Sequence, residues 1–114
     1  MNVDAGHDHA TAPVPEFGQG AYRVAAGLFR AGGDVERLRL LHQLSRGERC
    51  VTDLAETAGV TMSTASQRLR VLRAEGLVHR RRHGKHMYYR IADAHIAELI
   101  RNALDHATED PPAS

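Results

Sequence analysis

The chain has 114 residues, 15 Lys and Arg against 14 Asp and Glu, 42% hydrophobic residues, 4% aromatic ones and no Trp. That length gives one domain with a modest core of Leu, Val, Ile and Ala, to which dimerisation would add buried surface. No apolar run reaches the ~20 residues of a membrane span, and MNVDAGHDHA lacks the basic start and apolar stretch of a signal peptide. The single cysteine, Cys50, has no internal partner. A lone thiol fits a reducing interior, so the expected location is the cytoplasm.

Charge is spread unevenly. Arg68, Arg70, Arg73, Arg80, Arg81, Arg82, Lys85 and Arg90 face one acid, Glu75, within residues 68–90; with +1 overall, that +7 segment leaves −6 on the rest. Such separation marks a polyanion-binding face.

Residues 1–17 hold Gly, Pro, acids and two histidines without a period and read as a flexible arm. Residues 18–110 read as the folded domain and 111–114 as a tail. GQGAYRVAAGLFRAG (18–32) predicts a helix with an apolar face of Tyr22, Val24, Ala25, Leu28 and Phe29. DVERLRLLHQLSRG (34–47) predicts a second, capped by Asp34, burying Val35, Leu38, Leu41 and Leu44 and ending at Gly47. CVTDLAETAG (50–59) predicts a short helix stopped by Gly59, and TMSTASQRLRVLRAEG (61–76) a longer one capped by Thr61 and closed by Gly76. Two helices joined by a tight Gly-containing turn form a helix-turn-helix. The period then changes to two: LVHRRR and HMYYRI flank HGK, a hairpin turning at Gly84. Residues 93–109 form the last helix, which Pro111 and Pro112 end. The order predicts a mainly α fold with a β-hairpin wing, a winged helix-turn-helix with extra helices at both ends.

On the helix 61–76, Ala65, Leu69 and Leu72 share a packing face, while Ser63, Ser66, Gln67 and Arg70 lie opposite. Short hydroxyls, a Gln and an Arg on an exposed helix suit the major groove, where Gln bridges adenine and Arg bridges guanine. The expected DNA contacts are Thr61, Ser63, Thr64, Ser66, Gln67 and Arg70 on this helix, with Arg68 and Arg73 on phosphates. Arg80, Arg81, Arg82, His83, Lys85 and His86 would form a basic wing, in which Arg82 and Lys85 reach a neighbouring groove. The expected partner is double-stranded DNA.

The last helix carries two histidines with a carboxylate beside each: Asp93 two before His95, and Glu109 three after His106. Eleven residues turn through about 1100°, so both histidines share a face, but they stand about 16 Å apart along the axis. With zinc–nitrogen bonds of ~2 Å, one ion cannot touch both. Two antiparallel copies of the helix would pair Asp93 and His95 of one with His106 and Glu109 of the other. Ile96, Ile100, Ala103 and Ala107, spaced four, three, four, suggest a coiled-coil-like seam for that pairing. Two imidazoles and two carboxylates suit tetrahedral zinc or cobalt, although affinity order favours nickel or copper at many N/O sites. Asp93 also suits the N-cap of this helix, and a carboxylate has oxygens for both roles.

From Leu38 to Asp110 the chain resembles the ArsR/SmtB family of metal-sensing repressors. The residues that carry the resemblance are ERCVTDLAE, VTMSTASQRLRVL, HRRRHGKHMYYRI and, above all, Asp93, His95, His106 and Glu109 in the helix ending NALDHATED. That last pattern is similar to the interhelical site of the family's zinc sensors. The resemblance implies a homodimer with paired N- and C-terminal helices. It also implies a repressor that binds operator DNA when metal-free and is released on Zn(II), with Co(II) or Ni(II) as other candidates. Cys50 and Asp53 also match two positions of a further site that some of the family's zinc sensors have, for which the arm offers His7 and His9 but no Cys. The Cys-x-Cys of arsenic- and cadmium-type members is incomplete here, since Val51 and Thr52 follow Cys50. A His common on the family's reading helix is Gln67 here, which puts the operator sequence in doubt. Two other readings stay open: a winged-helix regulator without metal sensing that responds to oxidants through Cys50, and a metal carrier that no longer reads DNA. No catalytic pairing, HExxH or Gly-rich phosphate loop is present in the sequence, so no enzyme is expected.

Overall fold

The computed structural model describes residues 13–109. The arm histidines His7 and His9, with Asp110 and the two prolines after it, lie outside the described residues. The element order is α1 (Gln19–Gly32), α2 (Val35–Leu44), β1 (Arg49–Cys50), α3 (Val51–Ala58), α4 (Met62–Ala74), β2 (Val78–His83), β3 (His86–Ile91) and α5 (Ala94–Ala107).

Local chemistry sets the boundaries. Asp34 starts α2 by accepting the Arg37 amide at 3.0 Å. That hydrogen bond is the main reason the Asp34 carboxyl sits below its ordinary range. Thr61 starts α4 by accepting the Thr64 amide at 3.1 Å, and Asp93 starts α5 by accepting the Ile96 amide at 3.0 Å. Each meets an amide that the first helical turn leaves without a partner. Gly59 ends α3 at φ 68°, a left-handed conformation that glycine adopts without Cβ strain. The chain thereby reverses directly into α4, completing the helix-turn-helix. Gly84, at φ 61°, turns the hairpin between His83 and His86.

The wing is part of a three-stranded antiparallel sheet in the order β1-β3-β2, with Cys50 opposite Tyr88 and Arg80 opposite Tyr89. Cys50 therefore belongs to a strand, where the sequence predicted the start of a helix; only from Val51 on is the segment helical. Leu40, Leu41, Leu54, Leu69, Leu72, Leu77 and Val78 are fully buried at the centre, between α2, α3, α4 and the sheet.

Three expectations about packing change. Val35 is 63% exposed and Leu40 is buried in its place. The inward face of α2 is centred on Leu40, Leu41 and Leu44, and at about 100° per residue Val35 falls on the far side. On α1 the buried residues are Gly27 and Ala31, while Tyr22, Val24 and Phe29 are 51–64% exposed. Gly27 lies directly under the Glu75 carboxylate, so a Cβ there would overlap it. Close approach of α1 to the end of α4 thus uses small residues and leaves the large apolar ones outside. On α5, Ile96 and Ile100 are sealed into the chain's own core, whereas Ala103 and Ala107 are exposed. The expected seam is therefore an intramolecular contact in its first half. A four-three-four pattern identifies an apolar stripe without saying what covers it.

Candidate nucleic-acid face and metal half-sites

Helix α4 presents its residues in three directions. Ala65, Leu69 and Leu72 face the core. Ser63, Gln67 and Arg70 are exposed and available to a major groove. Ser66 is half-buried and, with Arg70, Arg73 and Arg80, lines a furrow toward the wing. Thr61 and Thr64 are occupied with each other: besides the cap, the Thr61 hydroxyl donates to Thr64 Oγ1 at 3.1 Å. Their first role is to fix the start of the helix. Arg68 is half-buried, and its charge contributes to lowering the Asp34 carboxyl. At about 100° per residue it lies a quarter-turn round the helix from Gln67.

Strand alternation divides the wing. Arg80 and Arg82 face the side of Met87 and Tyr89; Arg81 and His83 face the side of Tyr88 and His86. On that second side Glu48, in the loop after α2, accepts from Arg81 Nε at 2.9 Å and from a terminal nitrogen at 2.7 Å. Arg81 also lies 5.1 Å from the centre of the Tyr88 ring. The pair holds the Glu48 carboxyl below its ordinary 4.5 and raises Arg81. No local pattern signals this pair, which joins residues 33 positions apart. Lys85 stands exposed in the turn.

On α5 the structure places two histidine–carboxylate pairs, one at each end. His95 Nδ1 is 3.9 Å from Asp93 Oδ1, and His106 Nδ1 is 3.5 Å from Glu109 Oε1. Both imidazoles are almost fully exposed, at 96% and 85%. With Leu99 and Asn102 between them, they form an outward stripe on the helix. Among the described residues no cluster of three or more His, Cys, Asp or Glu is assembled within one chain. The donor chemistry suits a divalent N/O site, but each end supplies only half of a four-donor set. Cys50 is buried and Asp53 exposed, so the two point to different environments. A buried thiol also lacks the access that oxidant sensing requires.

The fold and its basic face define a winged helix-turn-helix of the DNA-binding type. Residues 34–80 match the family described as bacterial regulatory protein, arsR family. A transcriptional repressor SmtB homolog from Synechocystis is 45% identical over 84 residues, covering 74% of this chain and 64% of that protein. The HTH-type transcriptional regulator NmtR of Mycobacterium tuberculosis is 40% identical, covering 90% of this chain and 82% of its own length. A cadmium resistance transcriptional regulatory protein CadC homolog of Staphylococcus aureus is 36% identical, covering 74% and 70%. Among solved structures, the homodimeric winged helix-turn-helix DNA-binding domain of Mb0332 from Mycobacterium bovis superposes with a TM-score of 0.74. It is 35% identical and covers 77% of this chain and 82% of that one. The chain belongs to the arsR family of bacterial regulatory proteins. It spans 64% of the length of the SmtB relatives it matches. Among the described residues no helix is long and apolar enough to cross a membrane.

Proposed function

We propose that the protein is a metal-responsive transcriptional repressor. In this reading it is a homodimer that holds operator DNA in the metal-free state and is released when Zn(II), or Co(II) or Ni(II), binds. The single observation that carries it is the pair of histidine–carboxylate half-sites at opposite ends of α5. Asp93 and His95 of one chain with His106 and Glu109 of a second would hold the ion. A divalent ion there would supply a charge-neutralised cross-link between two copies. The name of the CadC relative, which speaks of cadmium resistance, supports a metal as the signal.

Dimerisation is supported by what one copy leaves uncovered. Tyr22, Val24 and Phe29 of α1 and Leu99 of α5 are exposed large apolar residues, an arrangement that favours burial against a partner. DNA would be contacted by Ser63, Gln67 and Arg70 on α4, with Arg82 and Lys85 of the wing on the backbone or the adjacent groove. A repressor that acts on operator DNA would work in the cytoplasm.

The test is chelator competition for zinc on purified apo protein, with duplex binding followed in parallel. One tight zinc per chain, lost in both His95→Ala and His106→Ala, together with zinc-dependent loss of duplex binding, is the expected result. Tight zinc indifferent to both substitutions, or no effect of zinc on duplex binding, overturns the reading.

A further inference from the structure

We propose that the furrow between α4 and β2 is a seat for one phosphodiester group of the DNA strand that runs between the reading helix and the wing. This rests on the DNA-binding reading above and adds a residue-level assignment to it. Ser66, Arg70 and Arg73 are spaced four and three along α4 and so share one side of it, and Arg80 approaches from the neighbouring strand. Val51, Met87 and Tyr89 complete the lining, and no carboxylate takes part.

Size favours a group over a whole molecule. The furrow holds about 200 Å³, below the roughly 300–1,000 Å³ of small-molecule sites. Charge favours an anion. Among the described residues no carboxylate lies within 4.0 Å of Arg70, Arg73 or Arg80. The acid nearest in function, Glu48, is spent on Arg81, which strand alternation puts on the opposite side of the hairpin. Three guanidinium groups around one furrow repel each other unless an anion joins them, and their planar forks match phosphate oxygens. Duplex geometry supplies the anion: one phosphate backbone separates a major groove from the adjacent minor groove. A helix in the first and a hairpin reaching the second must straddle that backbone. On this assignment Arg70 is turned toward phosphate, and base reading falls to Ser63 and Gln67.

The experiment measures binding of full-length protein to two duplexes between about 50 and 200 mM salt. One duplex is selected by the protein from random sequence; the other is a scrambled duplex of the same length. Arg73→Ala and Arg80→Ala should each weaken both complexes by the same factor and flatten the salt slope, with the double substitution flattening it by no more than about 2, one phosphate in each half of the dimer's site. Arg101→Ala, on α5, serves as the surface-charge control and should leave the slope unchanged. Neutral methylphosphonates, one at the equivalent position of each half-site and moved together along the selected duplex, should at one such pair of positions make both arginine substitutions silent. Unchanged slopes for Arg73→Ala and Arg80→Ala, or silencing of the two arginines at different pairs of positions, overturn the seat while wild-type binding leaves the DNA reading intact. Wild type that binds neither duplex removes both, and that outcome is visible before any variant is tested.

Discussion

Glu48 and Arg81 form a two-pronged ion pair, at 2.7 and 2.9 Å, that ties the loop after α2 to the wing. Both groups are on the surface, where an isolated pair contributes little to stability. The bidentate geometry and the Tyr88 ring beneath Arg81 give the contact a different use. They fix the hairpin relative to the core, and they remove Arg81 from the charges offered to DNA.

Replacing Glu48 with Gln separates these two effects by sign. Loss of a negative charge alone would tighten DNA binding, whereas loss of the brace would loosen the wing and weaken it. We expect binding several-fold weaker, measured by fluorescence anisotropy on a duplex; tighter binding would make Glu48 a mask for Arg81 and nothing more. The pH dependence has a definite sign. Because Arg81 depresses the Glu48 carboxyl in the folded state, the contribution of the pair is present above the ordinary 4.5. It is lost as pH falls through the lower folded value. The difference in melting temperature between wild type and Glu48→Gln should therefore shrink in acid.

Asp93 has two tasks, and two substitutions separate them. Asn keeps an acceptor oxygen for the Ile96 amide but loses the charge that a cation would use. Asp93→Asn should melt near wild type and bind zinc more weakly. Asp93→Ala should cost about 1 kcal/mol of stability besides. Equal zinc affinity in wild type and Asp93→Asn would confine this residue to capping.

The exposed apolar face of α1 gives a direct test of assembly. Phe29→Glu places a charge on a residue that is 64% exposed in one copy, so a monomer should tolerate it. In sedimentation we expect loss of the dimer with the helical content unchanged. A dimer that survives both this change and Leu99→Glu would have to use another surface.

For sequence reading, Gln67→Ala should flatten the preference for the selected duplex over a scrambled one, with a loss of about 1–3 kcal/mol in discrimination. Lys85→Ala should weaken both duplexes alike. Unchanged discrimination in Gln67→Ala would move base reading to another part of α4.

Leu54 is fully buried in the helix-turn-helix. Leu54→Ala should destabilise the fold by about 2–5 kcal/mol in denaturant titration. A cost under about 1 kcal/mol would mean that the core around α3 collapses onto the space.

Much of this molecule is written locally in its sequence. Asp34, Thr61 and Asp93 cap helices because a side-chain acceptor sits three residues before a free amide, and Gly59 and Gly84 turn the chain because they adopt positive φ. The two histidine–carboxylate pairs of α5 are legible for the same reason, since His106 and Glu109 lie one turn apart and Asp93 immediately precedes the helix of His95. Spacing along one helix or one turn is a property of the chain alone.

What covers each stripe was decided by packing. The apolar patterns of α1 and α5 look alike in sequence, yet Ile96 and Ile100 enter the core while Tyr22 and Phe29 stay outside. Helical spacing fixes a face relative to the axis and says nothing of the neighbour it meets. The same holds for β1 joining the wing, and for Arg70, Arg73 and Arg80 converging on one furrow. The pairing of Glu48 with Arg81 is the extreme case. Contacts between residues so far apart form only when the core has set the sheet against α4, because loop closure costs entropy that no local pattern repays.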